Sequence, residues 1–192
     1  MITELHSPEP TTRMKVIVTF MQMVSPPAGP RLLLPAGWSV EHGVQPSLAA
    51  YRVLHDRVGR SCCWWMRQAV PDEPLEHFLA VAPIEIGLLR DNGNVRGFYE
   101  INRADPSSPN IAYFGLFPEA IGQGVGRAFL DTVLRRAWRG NPLRVRVNTC
   151  TADHPRALPL YRDAGFDVLR QVEEVWDVPD RLGLTIPPHL RA

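Results

Sequence analysis

Three glycines at alternating positions stand in Gly122-Gln123-Gly124-Val125-Gly126, with Ile121 before them and Arg127 after. Glycine tolerates positive φ and lets a backbone approach a ligand closely. When such a turn opens a helix, several N–H groups point at one anion, at the positive end of the helix dipole. The chemistry this suits is phosphate binding; the plainer reading is a flexible turn that only starts a helix. Two common phosphate motifs fail here. A P-loop needs a Lys and a hydroxyl residue after its last glycine, and neither follows Gly126. A dinucleotide fingerprint needs G-x-G-x-x-G, but the third glycine position after Gly122 and Gly124 holds Arg127.

Other reactive groups are few. Glu100 sits in the apolar run Phe98-Tyr99-Glu100-Ile101. A carboxylate facing a cleft from such a strand could carry a raised pKa and act as a general base; the alternative is an edge-strand glutamate facing water. Asp153 and His154 are other candidate bases. Cys150 with His154 could suggest a thiol nucleophile, but a single cysteine at a strand end is more often structural. Lys15 is the only lysine, which removes most options for amine nucleophiles. No His/Cys cluster has zinc spacing, so no metal is expected.

The elements that must position these groups follow from pattern. Lys15 to Val24 reads as a first strand, and Pro26, Pro27, Gly29 and Pro30 then break the chain. From Ser47 to Val58, Leu48, Tyr51, Val53, Leu54 and Val58 fall near helical spacing, with Gly59 as a stop. Ser61 to Met66 is a short apolar knot holding Trp64 and Trp65. Pro71 to Ala80 predicts a second helix, with Asp72, Glu73 and Glu76 near its positive end. Ile84 to Leu89 and Val95 to Asn102 flank Asp91-Asn92-Gly93-Asn94, a hairpin turn in which Asn and Gly accept positive φ. Ile111 to Phe117 is the next strand. Residues 124 to 139 form the strongest helix, with Val125, Phe129, Val133 and Ala137 on one face. Leu143 to Thr149 alternates as a half-buried strand. Pro155 to Ala164 predicts a short helix closed by Gly165, kinked or restarted at Pro159. Phe166 to Asp177 holds a last strand or two.

The glycine turn resembles motif A of the GNAT superfamily of acetyltransferases, [Q/R]-x-x-G-x-[G/A] after a strand and a proline. Pro118, Gln123, Gly124 and Gly126 fit, while Ile121 replaces the leading Gln or Arg. A second segment, from His154 through Ala157, Tyr161, Gly165 and Phe166, is similar to the family's N-x-x-A-x-x-x-Y-x-x-x-G-F, with His154 in place of Asn. The resemblance runs from about Val81 to Phe166. It implies acetyl-CoA as co-substrate, with its pyrophosphate on backbone amides across Ile121, Gly122, Gln123, Gly124, Val125, Gly126 and Arg127. His154 would stand near pantetheine. Leu116 and Phe117 would offer main-chain groups near the acetyl carbonyl, an oxyanion-hole arrangement. Tyr161 would be the acid that protonates the leaving thiolate. From a phenol near pKa ~10 to a thiol near ~8.5 that transfer is uphill by about 2 kcal/mol, within reach of a positioned acid. Trp64, Trp65 and Arg67 lie where relatives build the acceptor pocket.

The fold expected is α/β with α+β character: a central, mostly antiparallel, splayed mixed β-sheet flanked by helices on both faces. One GNAT-like domain covers residues 1–192, with a loose arm over 1–13 and an irregular tail over 179–192. The net charge of +1 gives no case for nucleic acid or an anionic membrane surface. No apolar run reaches the ~18–20 residues of a membrane span. Three cysteines, two adjacent, argue for a reducing compartment, hence the cytoplasm. The expected activity is N-acetylation of a primary amine on a small molecule. A non-enzymatic acyl-CoA-binding or sensing module, or an enzyme acting on protein amines, are the alternatives. The resemblance also implies a homodimer built through the sheets.

Overall fold

In the computed structural model, which describes residues 9–192, seven strands form one sheet in the order β2-β3-β4-β5-β6-β1-β7. The strands are β1 (Thr11–Met23), β2 (Trp38–Val44), β3 (Ile84–Asp91), β4 (Asn94–Asn102), β5 (Asn110–Leu116), β6 (Val145–Cys150) and β7 (Asp167–Pro179). Every neighbouring pair is antiparallel except β5 and β6. Those two run parallel and pair only at Asn110↔Arg146 and Ile111↔Val147. Beyond Ile111 they carry no further ladder, so the sheet opens between Ala112–Leu116 and Asn148–Cys150. The helices are α1 (Leu48–Gly59), α2 (Met66–Ala69), α3 (Asp72–Val81), α4 (Gly126–Ala137) and α5 (Ala157–Asp163).

The helices lie on both faces. On one, Phe129, Leu130, Val133, Leu134 and Ala137 of α4 and Tyr161 of α5 pack on Met21, Leu89, Tyr99, Ile101, Ile111, Val145 and Val147. On the other, Tyr51, Leu54 and Val58 of α1 and Leu75 of α3 pack on Ile86, Leu88, Phe98 and Phe117. Side chains of a strand alternate between faces, so one sheet serves both layers. At Gly115 in β5 an added Cβ would lie 2.2 Å from Cγ1 of Val58. The missing side chain is what lets α1 sit directly on β5 beside the opening.

Local signals account for most boundaries. Ser47 caps α1 through its hydroxyl, which accepts from the Ala50 N–H at 3.3 Å. Asn92 (φ 46°) and Gly93 (φ 82°) both take positive φ in the β3–β4 hairpin. Other boundaries differ from the sequence expectation. The first strand starts at Thr11, so the arm covers less than expected, and its residues 1–8 lie outside the described residues. β2 falls in a stretch with no strand pattern; it is short, contains Gly43 at φ 68° and carries a register shift between His42 and Val44. Val53 is 54% exposed and off the apolar face of α1. Pro159 is the third residue of α5, where a missing N–H costs no helix bond, so it neither kinks nor restarts the helix. The tail beyond Pro179 is two short 3-10 turns, Asp180–Leu182 and Pro188–Leu190. It packs Ile186 and Leu190 onto Met14, Val16 and Val18.

Candidate active site

The glycine turn follows a 3-10 turn, Pro118–Ala120, and delivers the chain into α4. Gly122 (φ 86°) and Gly124 (φ 74°) occupy the left-handed region, and no atom lies within 4 Å of a Cβ built at either. Conformation demands these glycines, and their bare side leaves room for a ligand against the backbone. The first backbone bond of the helix is from Phe129 N–H to the Val125 carbonyl. Among the described residues, the N–H groups of Gly122, Gly124, Val125, Gly126, Arg127 and Ala128 have no backbone acceptor. Such a row of free donors at a helix start is an anion cradle. Gln123 is the exception: its N–H bonds the Ala120 carbonyl at 3.4 Å, and its side-chain amide donates to the Glu119 carbonyl at 2.6 Å. It braces the turn from behind. Ile121 is 46% exposed. Arg127 is exposed, has no ion-pair partner among the described residues, and edges a groove of about 300 Å³ between α4, α5 and residues Pro27–Leu32. Nearby, Glu119 bonds Arg57 at 2.5 Å and Arg96 at 3.0 Å. Its own backbone N–H first, then those arginines, hold its carboxyl below the usual range.

Tyr161 lies behind the open side of β5. Its ring packs against Phe114 (centroids 6.4 Å apart) and edge-on to Phe166 (5.8 Å). The residue is 5% exposed, and its hydroxyl makes no hydrogen bond to protein among the described residues. Burial, with the Asp153 carboxylate adding to it, pushes this phenol above its ordinary value. Tyr161 therefore carries its proton at all ordinary pH, as an acid must. Asp153 is fixed by three donors: Trp64 Nε1 at 2.9 Å, Thr149 Oγ1 at 2.7 Å and the Cys150 N–H at 2.9 Å. The Trp64 bond ties the α1 side of the molecule to the end of β6.

Leu116 and Phe117 behave differently. The Phe117 N–H donates to the Arg96 carbonyl at 2.7 Å, and its carbonyl accepts from Ala120. Both of its main-chain groups are used within the protein, so the expected ligand contact from Phe117 falls away. Strand alternation turns the main-chain groups of Leu116 the other way, toward the opening.

Glu100 does not face an open cleft or water. It is 0% exposed; Oε2 accepts from the Tyr51 hydroxyl at 2.6 Å and Oε1 from Arg67 Nη2 at 3.1 Å. The Arg67 guanidinium lies 4.0 Å over the Phe78 ring. Burial works most strongly against the charge on Arg67, but Glu100, Tyr51 and Tyr113 together outweigh it and move the guanidinium upward. This is an anchor that pins α1 and α2 to β4. Beside it, His55 is 1% exposed and boxed by the rings of Tyr51, Trp64, Phe98 and Tyr113, with neither ring nitrogen partnered. Burial first, and Arg67 second, push its pKa down to about 3.

The remaining candidates fall outside this cluster or are tied up locally. His154 is exposed, and its Nδ1 accepts the Arg156 N–H at 3.2 Å, shaping the entry to α5. Burial, then Asp153, pushes the Cys150 thiol up to about 12, the wrong direction for a nucleophile. Trp65 packs toward the C-terminal tail. Reading the sequence missed His55 and the Trp64–Asp153 bond. His55 had a signal: Tyr51, Leu54, His55 and Val58 share one helical face.

The acetyltransferase (GNAT) family model matches residues 50–166. Among solved structures, a GCN5-related N-acetyltransferase from Sphaerobacter thermophilus is 19% identical over 89% of this chain and 53% of its own length, with a TM-score of 0.63. A tandem GNAT protein from the clavulanic acid biosynthesis pathway is 17% identical over 89% of this chain and 54% of its own, at 0.58. An aminoglycoside acetyltransferase from an uncultured soil metagenomic sample, solved with trehalose, is 15% identical over 68% of this chain and 88% of its own, at 0.54. The chain thus spans about half the length of the first two. Among curated protein sequences none matches significantly.

Proposed function

This chain belongs to the acetyltransferase (GNAT) family, and we propose that it moves an acetyl group from acetyl-CoA to a primary amine of a small molecule, by direct attack in a ternary complex. The observation that carries the reading is the set of free N–H groups at Gly122 and from Gly124 to Ala128, in the turn that follows the unladdered end of β5, the strand whose Phe114 packs against Tyr161. The donor set fits CoA: bare backbone amides and unpaired Arg127 suit a pyrophosphate, and an unladdered strand suits pantetheine. Acetyl-CoA supplies an activated acyl group as its thioester.

The chain's own residues divide the remaining work. The turn holds the anionic end. Main-chain groups of Leu116 orient the acyl end along β5. Tyr161 Oη, kept protonated by its burial, gives its proton to the departing sulfur. Glu100 is a positioning residue in this scheme: it fixes Arg67 and Tyr51, which form the helical wall of the acceptor side. His55, neutral and apolar-boxed, keeps that wall dry. Water reaching the open end of the sheet takes the proton of the amine. An aminoglycoside acetyltransferase with the same fold supports a small-molecule amine as the acceptor class. The three free cysteines agree with a reducing, cytoplasmic setting.

Free-thiol release with acetyl-CoA and a panel of amines tests the proposal. Turnover with at least one small amine is expected. Thermal stabilisation by CoA without turnover on any amine would make the chain a binding module instead, and turnover confined to peptide amines would replace the substrate class.

A further inference from the structure

The C-terminal end of α4 carries charges that acetyl transfer does not use. Val40 of β2 packs on the core beneath α4, and strand alternation turns His42 to the same face of the sheet. The Tyr99 hydroxyl donates to Glu85 Oε1 at 3.0 Å, so its oxygen accepts from His42 Nδ1–H at 2.7 Å. That pairing fixes the tautomer and leaves His42 Nε2 with a lone pair and no partner among the described residues. Glu85 also accepts from Arg136 Nε at 2.5 Å and Arg103 Nη2 at 3.2 Å. Arg103 in turn donates to the carbonyls of Arg136 and Ala137 at the helix end.

Two more arginines stand around His42. Arg31, in the β1–β2 connection, reaches across to α4 and donates to Thr132 Oγ1 at 3.4 Å. Arg139 follows the last turn of α4. Both are exposed, and neither has an ion-pair partner among the described residues. Burial first, then Arg136, holds the His42 pKa below its ordinary value; Glu85 opposes this, and Arg139 and Arg31 add to it. The acids at the margin are taken. Asp131 accepts from Arg135 at 2.9 Å and from the Leu32 N–H at 3.1 Å, and Glu41 accepts from Arg90 at 2.8 Å. Four arginines therefore surround one carboxylate, in a chain whose net charge is only +1. The negative end of the helix dipole accounts for Arg136 and Arg139. It does not account for Arg31 laid across the helix, or for a histidine with an unpaired nitrogen among them.

We propose that Arg31, Arg136, Arg139 and His42 bind a phosphate-bearing small molecule at the C-terminal end of α4, a second anion site separate from the glycine turn. The two sites are the opposite ends of one helix, roughly 16 Å apart. Guanidinium forks match phosphate oxygens, and protonated His42 Nε2 adds a donor between them. The flanking Asp131–Arg135 and Glu41–Arg90 pairs close the patch on two sides, which suits a small anion rather than a nucleic-acid track. Nε2 must gain a proton before it can donate, so in the range between the free and the bound His42 pKa the ligand arrives with one proton taken up.

The full chain, with acetyl-CoA saturating the turn, is titrated with inorganic pyrophosphate at constant ionic strength while the His42 ring protons and the backbone amides are followed by NMR. Saturable shifts are expected at His42, at residues 38–44 and at residues 136–140, with the His42 pKa rising on binding and affinity strengthening as pH falls through its range. Arg31→Ala and Arg139→Ala should each weaken binding roughly tenfold. Arg13→Ala, which removes an equal charge at the other end of the sheet, should change it less than twofold. His42→Gln should abolish the pH dependence. Positions 31 and 139 are exposed, and circular dichroism confirms that the variants are folded. The absence of saturable shifts at His42 up to millimolar pyrophosphate overturns the proposal. So does Arg139→Ala binding as well as Arg13→Ala. Shifts at His42 produced by acetyl-CoA alone, with none added by pyrophosphate, would make the patch part of the acetyl-CoA site and also overturn it.

Discussion

Removing the Glu100 carboxylate should damage the fold more than any chemistry. In Glu100→Ala, Arg67 keeps its charge with only 23% of its side chain in solvent, and the Tyr51 hydroxyl loses its acceptor. Breaking a buried pair by deleting one member costs about 3–5 kcal/mol. The partial exposure of Arg67 argues for the lower end, and the orphaned Tyr51 hydroxyl adds about 1 kcal/mol. The total is about 4 kcal/mol, which for a chain of this size lowers Tm by roughly 10 °C. Urea and thermal unfolding followed by circular dichroism measure it. Glu100→Leu with Arg67→Met removes both charges and should recover at least half of that loss, because no unpaired charge is then buried. A cost below about 1 kcal/mol for Glu100→Ala, or a double variant as unstable as the sum of its parts, would refute the anchor. A Glu100→Gln protein of normal stability whose pH–rate profile has lost an ionisation would return Glu100 to the role of base.

Tyr161→Phe should lower turnover by about 10²-fold or more while leaving Tm nearly unchanged, since the hydroxyl bonds nothing in the protein; steady-state kinetics with thermal unfolding checks both. Because the Tyr161 phenol is held above its ordinary value, wild-type turnover should show no loss from its ionisation up to pH ~10. His55 is lowered to about 3 from an unfolded value near 6.5, so the unfolded chain binds the extra proton. Its contribution to stability is complete above pH ~6.5 and is lost as pH falls toward 3. His55→Phe should flatten the dependence of unfolding free energy on pH in that window by up to about 1.4 kcal/mol per pH unit. Gly124→Val places a β-branched side chain at φ 74° on the ligand side of the turn; acetyl-CoA affinity by calorimetry should fall at least about tenfold.

What the sequence made legible was whatever is local. The glycines at 122 and 124 announce positive φ, Asn92-Gly93 announces its hairpin, and the face Val125, Phe129, Val133, Ala137 announces α4. Pairings across the chain were not readable. Nothing near Thr11–Met23 says that this strand enters between β6 and β7, because register depends on partners more than a hundred residues away. The same holds for Glu100: an acid in an apolar strand is equally a base in a cleft or an anchor, and only Tyr51 and Arg67, brought by α1 and α2, decide. Phe117 lost its expected role for a related reason, since its N–H was already owed to Arg96 across the β4–β5 ladder. β2 escaped notice because Gly43 and the polar residues Glu41 and His42 erase the alternation that marks a strand.

The central claim is that backbone amides of one turn hold the anionic end of acetyl-CoA. Amide chemical shifts of isotope-labelled protein, followed during titration with acetyl-CoA, read those atoms directly. The largest shifts are expected at Gly122, Gly124, Val125, Gly126, Arg127 and Ala128, with Gln123, whose N–H is already bonded, moving less. Saturating acetyl-CoA that leaves these amides unmoved, or moves only amides elsewhere, would contradict the account.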